Sequence, residues 1–431
     1  MINNKIYNLG KKLFSINRSI TGRGTVKTLK FLKQIVPALK IKKIKSGKRV
    51  FDWTIPPEWN VTEAYIKDKF EKKIIDIKEN NLHLVGYSSP VNKKINKIDL
   101  LNKINTIKKK PNAIPYITSY YKNYWGFCAS ENQKKNIEKK YRKKDKFTIC
   151  IKSSFKKEGN INYGEIFIPG KSKKEILIST YVCHPQMANN ELSGPLVSIS
   201  LAKHFSKRKN KKSIRFIFIP ETIGAVAYIE KNFNKLKRNT IGGYVLTCIG
   251  DERNYSLLTT KYKNSMSDYA AIEAFKKLKT KYKTYSFNNR GSDERQFNSP
   301  GIDLPIASIL RTKYGEYSEY HTSLDDFTLV TKKGLNGGYK IAKKSIENLM
   351  NYIIPQSKIF CEPKLQKINL DESLSTLKKT KKKINSRKIL DFLQFADGKN
   401  SLENISNLTN LSNQETIKIN KMLIKYNLIT N

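Results

Sequence analysis

From about residue 145 onward, short runs of consecutive apolar residues alternate with stretches whose apolar residues recur every three or four positions. The runs predict buried strands, and the periodic stretches predict amphipathic helices. Strands and helices that alternate in this way are typical of a mostly parallel sheet covered on both faces. The predicted strands are 175–182, 213–220, 241–250, 255–262 and 304–310, and a helix over 333–353 closes the region.

The first 135 residues show two other patterns. Apolar positions at helical spacing predict that residues 5–45 are helical. Residues 48–135 consist of short aromatic and β-branched stretches broken by proline and glycine, which is typical of a strand-rich unit. We therefore expect an α/β domain formed by residues 1–47 and 136–355, with a small β-rich domain, 48–135, inserted into it.

The C-terminal part begins with a polar, lysine-rich stretch, 356–385, which predicts a linker. Residues 386–431 contain three short helical segments and a final apolar segment, a pattern that predicts a winged-helix-like domain. Its second helix region carries only Lys418 and Lys421, partly balanced by Glu415, and this is little for contacts to DNA phosphates. We favour protein contact or dimerisation over operator binding, although both readings stay open.

The chain of 431 residues has a formal charge of +47, from 83 Lys and Arg against 36 Asp and Glu. The lysines are spread along the whole sequence beside abundant Asn and Ile, and the one dense run, 377–387, falls in the predicted linker. A nucleic-acid-binding protein should concentrate its basic residues on one face or segment, so nucleic acid is not the expected main partner.

Other features of the composition bear on location and chemistry. No apolar stretch is long enough to span a membrane, and the N-terminal residues lack the pattern of a signal peptide. The five cysteines are far apart and form no CxxC pair, which argues against a disulfide framework and against a zinc knuckle. These observations favour a cytoplasmic protein.

Polar residues of metal-binding type follow the predicted strands. His184, Glu221 and Asp251 come after the first three strands, and His321 follows the last. The carboxyl ends of parallel strands meet at one edge of a sheet, where such folds place their ligand sites. Imidazole and carboxylate groups suit zinc, and a nearby carboxylate can act as a general base. The predicted ligands are His184, His321, Asp251 and either Asn190 or Glu191, and the predicted base is Glu221.

Simpler readings exist for each residue. A histidine after a strand is often a hydrogen-bonded loop residue, and Glu221 or Glu191 could be a carboxylate that stabilises a helix N-terminus. However, the chain has only four histidines, and two of them, His184 and His321, stand in polar turns of the required kind.

The order of these motifs resembles that of the zinc-dependent aminopeptidases with a phosphorylase/hydrolase-like fold. The motifs are His184, ANNELSG (188–194), ETIG (221–224), Asp251 and YHT (320–322). The segments GSDERQF (291–297) and GIDLP (301–305) are similar to the Ser-Asp-His and Gly-Ile-Pro stretch of that family. A more particular resemblance is to a bacterial group often encoded among polysaccharide-biosynthesis genes. It implies a mixed sheet flanked by helices, an inserted β-domain and a C-terminal winged helix.

The sequence departs from the two-zinc pattern at two positions. Asn190 stands where the family has a bridging Asp, and Glu221-Thr222 stands where the family has a Glu-Glu pair. Since two anionic ligands are missing, the resemblance implies one zinc ion rather than two.

The resemblance also implies a reaction, namely hydrolysis of a peptide or amide bond, in a small peptide or on an aminosugar. Arg290, Asp293 and Tyr320 lie in the later loops and are candidates for substrate binding, although Tyr320 could instead pack against its neighbours. The alternative is a catalytically degenerate aminopeptidase fold that binds carbohydrate or acts as a regulator or scaffold. A homo-oligomer is compatible with either function.

Overall fold

The computed structural model describes residues 1–368, 370 and 384–431, and it divides the chain into two compact units, Met1–Ile346 and Glu347–Asn431. Residues 371–383 of the predicted linker, and with them most of the basic run 377–387, lie outside the described residues.

The N-terminal unit contains sixteen described strands and the helices that surround them. The strands are β1 Lys40–Lys45, β2 Arg49–Val50, β3 Trp53–Thr54, β4 Glu58–Lys67, β5 Lys73–Asp76, β6 Val91–Asn96, β7 Ile104–Asn105, β8 Phe127–Cys128, β9 Lys146–Lys156, β10 Asn160–Ile168, β11 Ser172–Tyr181, β12 Lys212–Ile219, β13 Thr240–Leu246, β14 Ser256–Leu258, β15 Lys283–Tyr285 and β16 Ile306–Leu310. The α-helices are α1 Asn4–Phe14, α2 Arg23–Ile35, α3 Lys97–Asn102, α4 Glu131–Lys140, α5 Ser193–Phe205, α6 Ile223–Asn239, α7 Met266–Lys277, α8 Glu294–Phe297 and α9 Lys332–Asn351.

Eight strands form the main sheet in the order β1-β10-β12-β11-β13-β16-β14-β15. Its centre is parallel, because β11 pairs in parallel with β12 and β13, and β13 pairs in parallel with β16. The outer pairings β1–β10, β10–β12 and β14–β16 are antiparallel, so the sheet is mixed. All residues of β12 and β16 are buried, which explains why both strands are rich in apolar residues. Gly243 is required in β13, because a Cβ there would collide with the Leu177 carbonyl.

The predicted helix over residues 5–45 is wrong in its last part. Two helices, α1 and α2, are present, but residues 40–45 form the edge strand β1. Their sequence KIKKIK places lysines on an exposed edge and buries Ile44, and lysines of this kind are common on edge strands.

The segment predicted as an inserted β-rich domain supplies three strands of a second sheet, with the order β5-β4-β9-β6. The strand β9, Lys146–Lys156, lies after the predicted boundary at residue 135. Trp59 and Phe147 of this sheet belong to one hydrophobic core with Ile217 and Tyr228 of the main domain. The second sheet is therefore part of the same compact unit.

The C-terminal unit contains α10 Ser386–Gln394, α11 Leu402–Thr409 and α12 Asn413–Lys425, with a pair of short antiparallel strands, β17 Gln356–Ser357 and β18 Ile429–Thr430. Its core includes Phe392, Ile405, Ile419 and Leu423. Across the described residues, no helix combines the length and the hydrophobicity that a membrane span requires.

Candidate functional site

The candidate site lies where the central parallel strands end. His184 follows β11, Glu221 follows β12, and the two side chains approach each other with 3.4 Å between His184 Nε2 and Glu221 Oε2. The ring of His321 lies beside that of His184, with 5.5 Å between the ring centroids. The His184 side chain is 5% exposed and that of Glu221 is 20% exposed, so a small molecule has access to the carboxylate.

Glu191 orients His184. Its Oε2 accepts hydrogen bonds from the backbone N–H of His184 at 3.0 Å and lies 2.9 Å from His184 Nδ1. Arg18 then compensates the charge of Glu191, with 3.5 Å between Arg18 Nε and Glu191 Oε1, and both side chains are completely buried. Cys183, His184 and Glu191 form the one group in the described part of the chain whose three potential ligand atoms lie within 4.8 Å of one another. A carboxylate bound to the second ring nitrogen of a histidine commonly fixes that ring for metal binding.

His321 lies in a strained turn and has φ = 55°. Tyr320 stacks on its ring, with 3.9 Å between centroids. Among the described residues no protein group forms a hydrogen bond with either ring nitrogen of His321, whereas its backbone carbonyl accepts a hydrogen bond from the N–H of Tyr116 at 3.0 Å. Tyr320, a candidate for substrate binding, therefore supports His321 by packing.

Tyr116 and Tyr120 bring the inserted segment into the site. The edge of the Tyr116 ring contacts both His184 and His321, with centroid distances of 5.0 and 5.2 Å. The hydroxyl groups of Tyr116 and Tyr120 are hydrogen bonded at 3.1 Å. The segment 113–120 is thus a wall of the site as well as part of a separate β-rich region.

Asn190 is held in place by neutral partners. Its Oδ1 accepts a hydrogen bond from the Tyr181 hydroxyl at 2.9 Å, and its carbonyl accepts one from the Thr247 hydroxyl at 3.0 Å. Asp325 anchors the turn on which Asn190 lies, since its carboxylate accepts hydrogen bonds from three consecutive backbone N–H groups, 188–190.

The Asp251 carboxylate is bound by other groups of the protein, and its role as a zinc ligand stays a prediction. Its carboxylate accepts hydrogen bonds from the N–H and hydroxyl of Thr312, at 2.9 and 2.6 Å, and from the N–H of Arg253 at 2.9 Å. In the described residues no hydrogen bond or ion pair joins Asp251 to His184, Glu221 or His321. The strand β13 ends at Leu246, so the residue that meets Asn190 there is Thr247.

Thr222, which follows Glu221, is held in an unusual conformation, with φ = 62° and ψ = −80°. This region is unfavourable for a β-branched residue. The Asp293 carboxylate accepts a hydrogen bond from the Thr222 N–H at 2.8 Å. Arg295 donates a hydrogen bond to the Thr222 hydroxyl at 2.5 Å. Asp293 is completely buried, so its contact is with the backbone beside Glu221 and not with a substrate.

Arg290, the other predicted substrate-binding residue, is exposed and is turned toward Phe287. Its guanidinium lies 5.0 Å from the centroid of the Phe287 ring. No hydrogen bond or ion pair within the described chain connects it to the histidines or to Glu221.

The electrostatics of the site reflect its burial. Burial alone would raise the pKa of Glu221, but the neighbouring His184, Arg295 and His321 lower it below its usual value. Burial and the charge of Glu221 raise the pKa of Asp293 well above the usual range. Burial, followed by the charge of His184, lowers the pKa of His321 to about 3. At neutral pH, His321 is therefore an uncharged imidazole, and in the described chain its ring nitrogens have no hydrogen-bond partner.

The donor atoms fit one zinc ion. The imidazoles of His184 and His321 are ligands of the kind that zinc sites use, and the Glu221 carboxylate lies beside them in the position of a base. The neighbouring side chains of Asn190, Thr222 and Thr247 are neutral, and the carboxylates of Glu191 and Asp251 are hydrogen-bonded within the protein. A pair of divalent ions would lack the anionic ligands that balance their charge.

Comparison with known proteins agrees with this architecture. A family model described as a domain of unknown function, DUF4910, matches residues 7–352, and a winged helix-turn-helix model matches residues 354–431. A protein of Clostridium acetobutylicum, named for polysaccharide biosynthesis and for its aminopeptidase-like domain, is 42% identical over 366 residues, which are 84% of this chain and 82% of the relative.

Solved structures show the same fold. A crystal structure from Clostridium acetobutylicum, named as a peptidase, matches with a TM-score of 0.78 and 37% identity, over 99% of this chain and 96% of that chain. The zinc aminopeptidase of Bacillus subtilis matches with a TM-score of 0.58 and 12% identity, over 81% of this chain and 96% of that chain. An M28 peptidase precursor of Shewanella amazonensis matches with a TM-score of 0.55 and 11% identity, over 84% and 95%. The chain therefore belongs to the DUF4910 family, with an aminopeptidase-like domain followed by a winged helix-turn-helix domain.

Proposed function

We propose that the protein is a metal-dependent hydrolase of the aminopeptidase type, which cleaves a peptide or amide bond with one zinc ion. The observation that carries the proposal is the approach of Glu221 to His184 at the carboxyl edge of the parallel strands, with His321 beside them. Amide hydrolysis needs a general base within reach of a water molecule and an electrophile near the carbonyl oxygen. This edge of the sheet supplies the base and the ligands for the electrophile.

Each residue has a separate task in this proposal. His184 and His321 hold the ion, and Glu191 fixes the ring of His184 through Nδ1 so that Nε2 is presented to the site. When bound, zinc would act as a Lewis acid on the carbonyl group of the substrate. Glu221 accepts a proton from water at its carboxylate and returns it to the departing amine. Tyr116, against both imidazoles, keeps bulk water away from them.

For the substrate, we propose a small peptide or an amide on an aminosugar. The aminopeptidase-like fold supports the amide bond, and the name of the clostridial relative supports a connection with surface polysaccharide. The inserted segment with Tyr116 and Tyr120 closes one side of the site, which favours a small substrate over a long chain.

A Glu221→Gln variant tests the proposal. With aminoacyl anilides and N-acyl aminosugars as substrates, we expect turnover to fall about 10²–10⁴-fold while bound zinc stays unchanged, because only the base is removed. Glu230→Gln is the matched control, since Glu230 lies on α6, the helix that follows Glu221, and pairs with Lys48 on the surface. Equal turnover by the Glu221→Gln variant and the wild type would contradict the proposed role of the base.

A second function is favoured by the neutral half of the site. Asn190, Thr222 and Thr247 are neutral and are hydrogen-bonded within the protein, and a site with so few anionic ligands suits a carbohydrate-binding protein without turnover. Titration calorimetry should then detect binding of aminosugars even in the presence of a chelator. The proposed hydrolase would instead lose activity when zinc is removed.

We propose that the winged helix-turn-helix domain binds another protein and does not recognise a DNA sequence. The exposed side of α12 presents Ile417 and Ile424 together with Lys421, so it mixes apolar and basic residues. Glu415 on the same helix pairs with Lys388 at 2.7 Å. An electrophoretic mobility assay with random duplex DNA should show only weak, strongly salt-dependent binding. Tight binding at physiological salt would contradict this assignment.

A further inference from the structure

We propose that the protein has a second ligand site, a basic groove on the four-stranded sheet that binds a nucleoside diphosphate or a similar organic phosphate. The groove has a volume of about 630 Å³ and is formed by residues beside β5 and along one side of α4. This volume lies in the range of small-molecule sites. The inference is independent of the proposed hydrolase activity, because the groove shares no residue with the candidate site.

Four lysines give the groove its charge, namely Lys72, Lys73, Lys139 and Lys140. Only Lys73 is paired, with Asp76 at 2.7 Å and Glu63 at 3.9 Å. Among the described residues, no carboxylate lies within 4.0 Å of the amino groups of the other three lysines. Although lysines are spread along the whole chain, here four line one concave surface, and three of the four form no ion pair in the described chain. An anion would neutralise this charge, and lysines bind phosphate as point charges.

The floor of the groove is apolar, which favours an organic phosphate over an inorganic anion. Ile137 and Tyr141 are buried, Ile74 is half-buried, and the Tyr141 hydroxyl donates a hydrogen bond to Asp68 at 2.8 Å, so this polar end points away from a ligand. Ile74 is the part of this floor that still faces solvent, and inorganic phosphate would leave it uncovered. A flat ring attached to the phosphates would cover the Ile74 side chain and gain the free energy of apolar burial.

Polar groups for the edge of such a ring are present as well. Gln133 and Asn136 lie on the same side of α4 as Ile137. The Oε1 of Gln133 accepts a hydrogen bond from the Ser130 N–H at 2.9 Å, which leaves its NH₂ group as a donor. An apolar floor, amide groups and a cluster of amino groups together match a nucleoside diphosphate better than a simple anion or an uncharged sugar.

The test is titration calorimetry of the full chain at low ionic strength with four probes, which are ADP, UDP, inorganic pyrophosphate and heparin. We expect at least one nucleotide to bind about tenfold more tightly than pyrophosphate, because the floor adds to the contact of the phosphates. Charge reversal in the Lys72→Glu/Lys139→Glu variant should weaken nucleotide binding at least about tenfold. The matched control is Lys30→Glu/Lys33→Glu on the exposed side of α2, which changes the net charge equally and should leave nucleotide binding within about twofold of the wild type.

An Ile74→Ala variant examines the floor separately, and it should weaken nucleotide binding without affecting pyrophosphate. Three results would overturn the proposal. The first is no binding of either nucleotide, and the second is an equal loss in both charge-reversal variants, which would indicate diffuse attraction. The third is a preference for pyrophosphate or heparin that Ile74→Ala leaves unchanged, which would show that the groove attracts polyanions without recognising a ring.

Discussion

Two buried arginine–glutamate pairs in the N-terminal unit differ in how well the partners fit each other. Arg215 and Glu175 form two hydrogen bonds, at 2.7 and 2.9 Å, and Glu165 adds a second carboxylate at 3.2 Å. Arg18 and Glu191 are 3.5 Å apart, and neither Arg18 Nη2 nor Glu191 Oε1 has a hydrogen-bond partner in the described chain. A buried charge pair with this poor geometry is costly to keep.

The difference in hydrogen bonding indicates that the Arg215–Glu175 and Arg18–Glu191 pairs have different roles. The Arg215 pair joins neighbouring strands of the main sheet and is satisfied within itself. In the other pair, Glu191 uses its second oxygen for His184, and Arg18 donates through Nε to the His184 carbonyl at 2.9 Å. Arg18 and Glu191 thus form hydrogen bonds with His184 and none with each other. We infer that the first pair serves the stability of the sheet and that the second pair serves the site.

The largest expected effect on stability comes from breaking the Arg215–Glu175 pair. An Arg215→Met variant should lose about 3 kcal/mol of the free energy of unfolding, because buried Glu175 loses both of its short hydrogen bonds and keeps only Lys235 at 3.8 Å. Arg18→Met should cost about 2 kcal/mol, since His184 remains beside Glu191 and can carry the compensating proton.

All three tryptophans, Trp53, Trp59 and Trp125, lie in the N-terminal unit, so unfolding in urea followed by tryptophan fluorescence reports on this unit alone. Equal losses for the two arginine variants would remove the distinction between the two pairs.

The comparison is sharpened by replacing each pair as a whole. In the Arg18→Met/Glu191→Gln variant the ring of His184 loses its carboxylate, so zinc affinity should fall about 10–100-fold. Arg215→Met/Glu175→Gln is the matched control, and its zinc affinity should equal that of the wild type. Competition with a chelating dye measures both affinities. A loss of the same size in the control would mean that the effect arises from general destabilisation.

A smaller effect concerns Thr222, whose strained backbone is held by Asp293 and Arg295. Thr222→Gly should raise the free energy of unfolding by about 1 kcal/mol, because relief of the strain exceeds the entropy that glycine adds to the unfolded chain. Thr222→Ser keeps the hydroxyl group and the Cβ, and should leave stability nearly unchanged. If the glycine variant is the less stable of the two, the conformation of Thr222 is not strained.

Much of the fold could be predicted from the sequence, because each central strand contains several consecutive apolar residues and is followed by a polar turn. His184 and Glu221 could be placed for the same reason, since they are the first histidine after β11 and the first carboxylate after β12. The segment 40–45 was assigned wrongly because an edge strand has little apolar pattern of its own.

The rest of the site depends on contacts between distant parts of the chain. Asp251 follows the apolar run 241–250, but β13 ends four residues before that run does, so Thr247 takes the position beside Asn190. Arg18 and Tyr116 come from segments that precede the first central strand and reach His184 only in the folded unit. The one signal for Arg18 was a single arginine in an otherwise uncharged stretch, 13–22, and this alone does not indicate a partner.

The central claim is that His184 and His321 hold one zinc ion, and the most direct test is elemental analysis of protein purified without chelator. We expect about one zinc per chain in the wild type and none in His184→Ala, whereas His204→Ala, in the helix α5, should keep the ion. A wild-type protein with no bound metal, and with none taken up when zinc is added, would contradict the account.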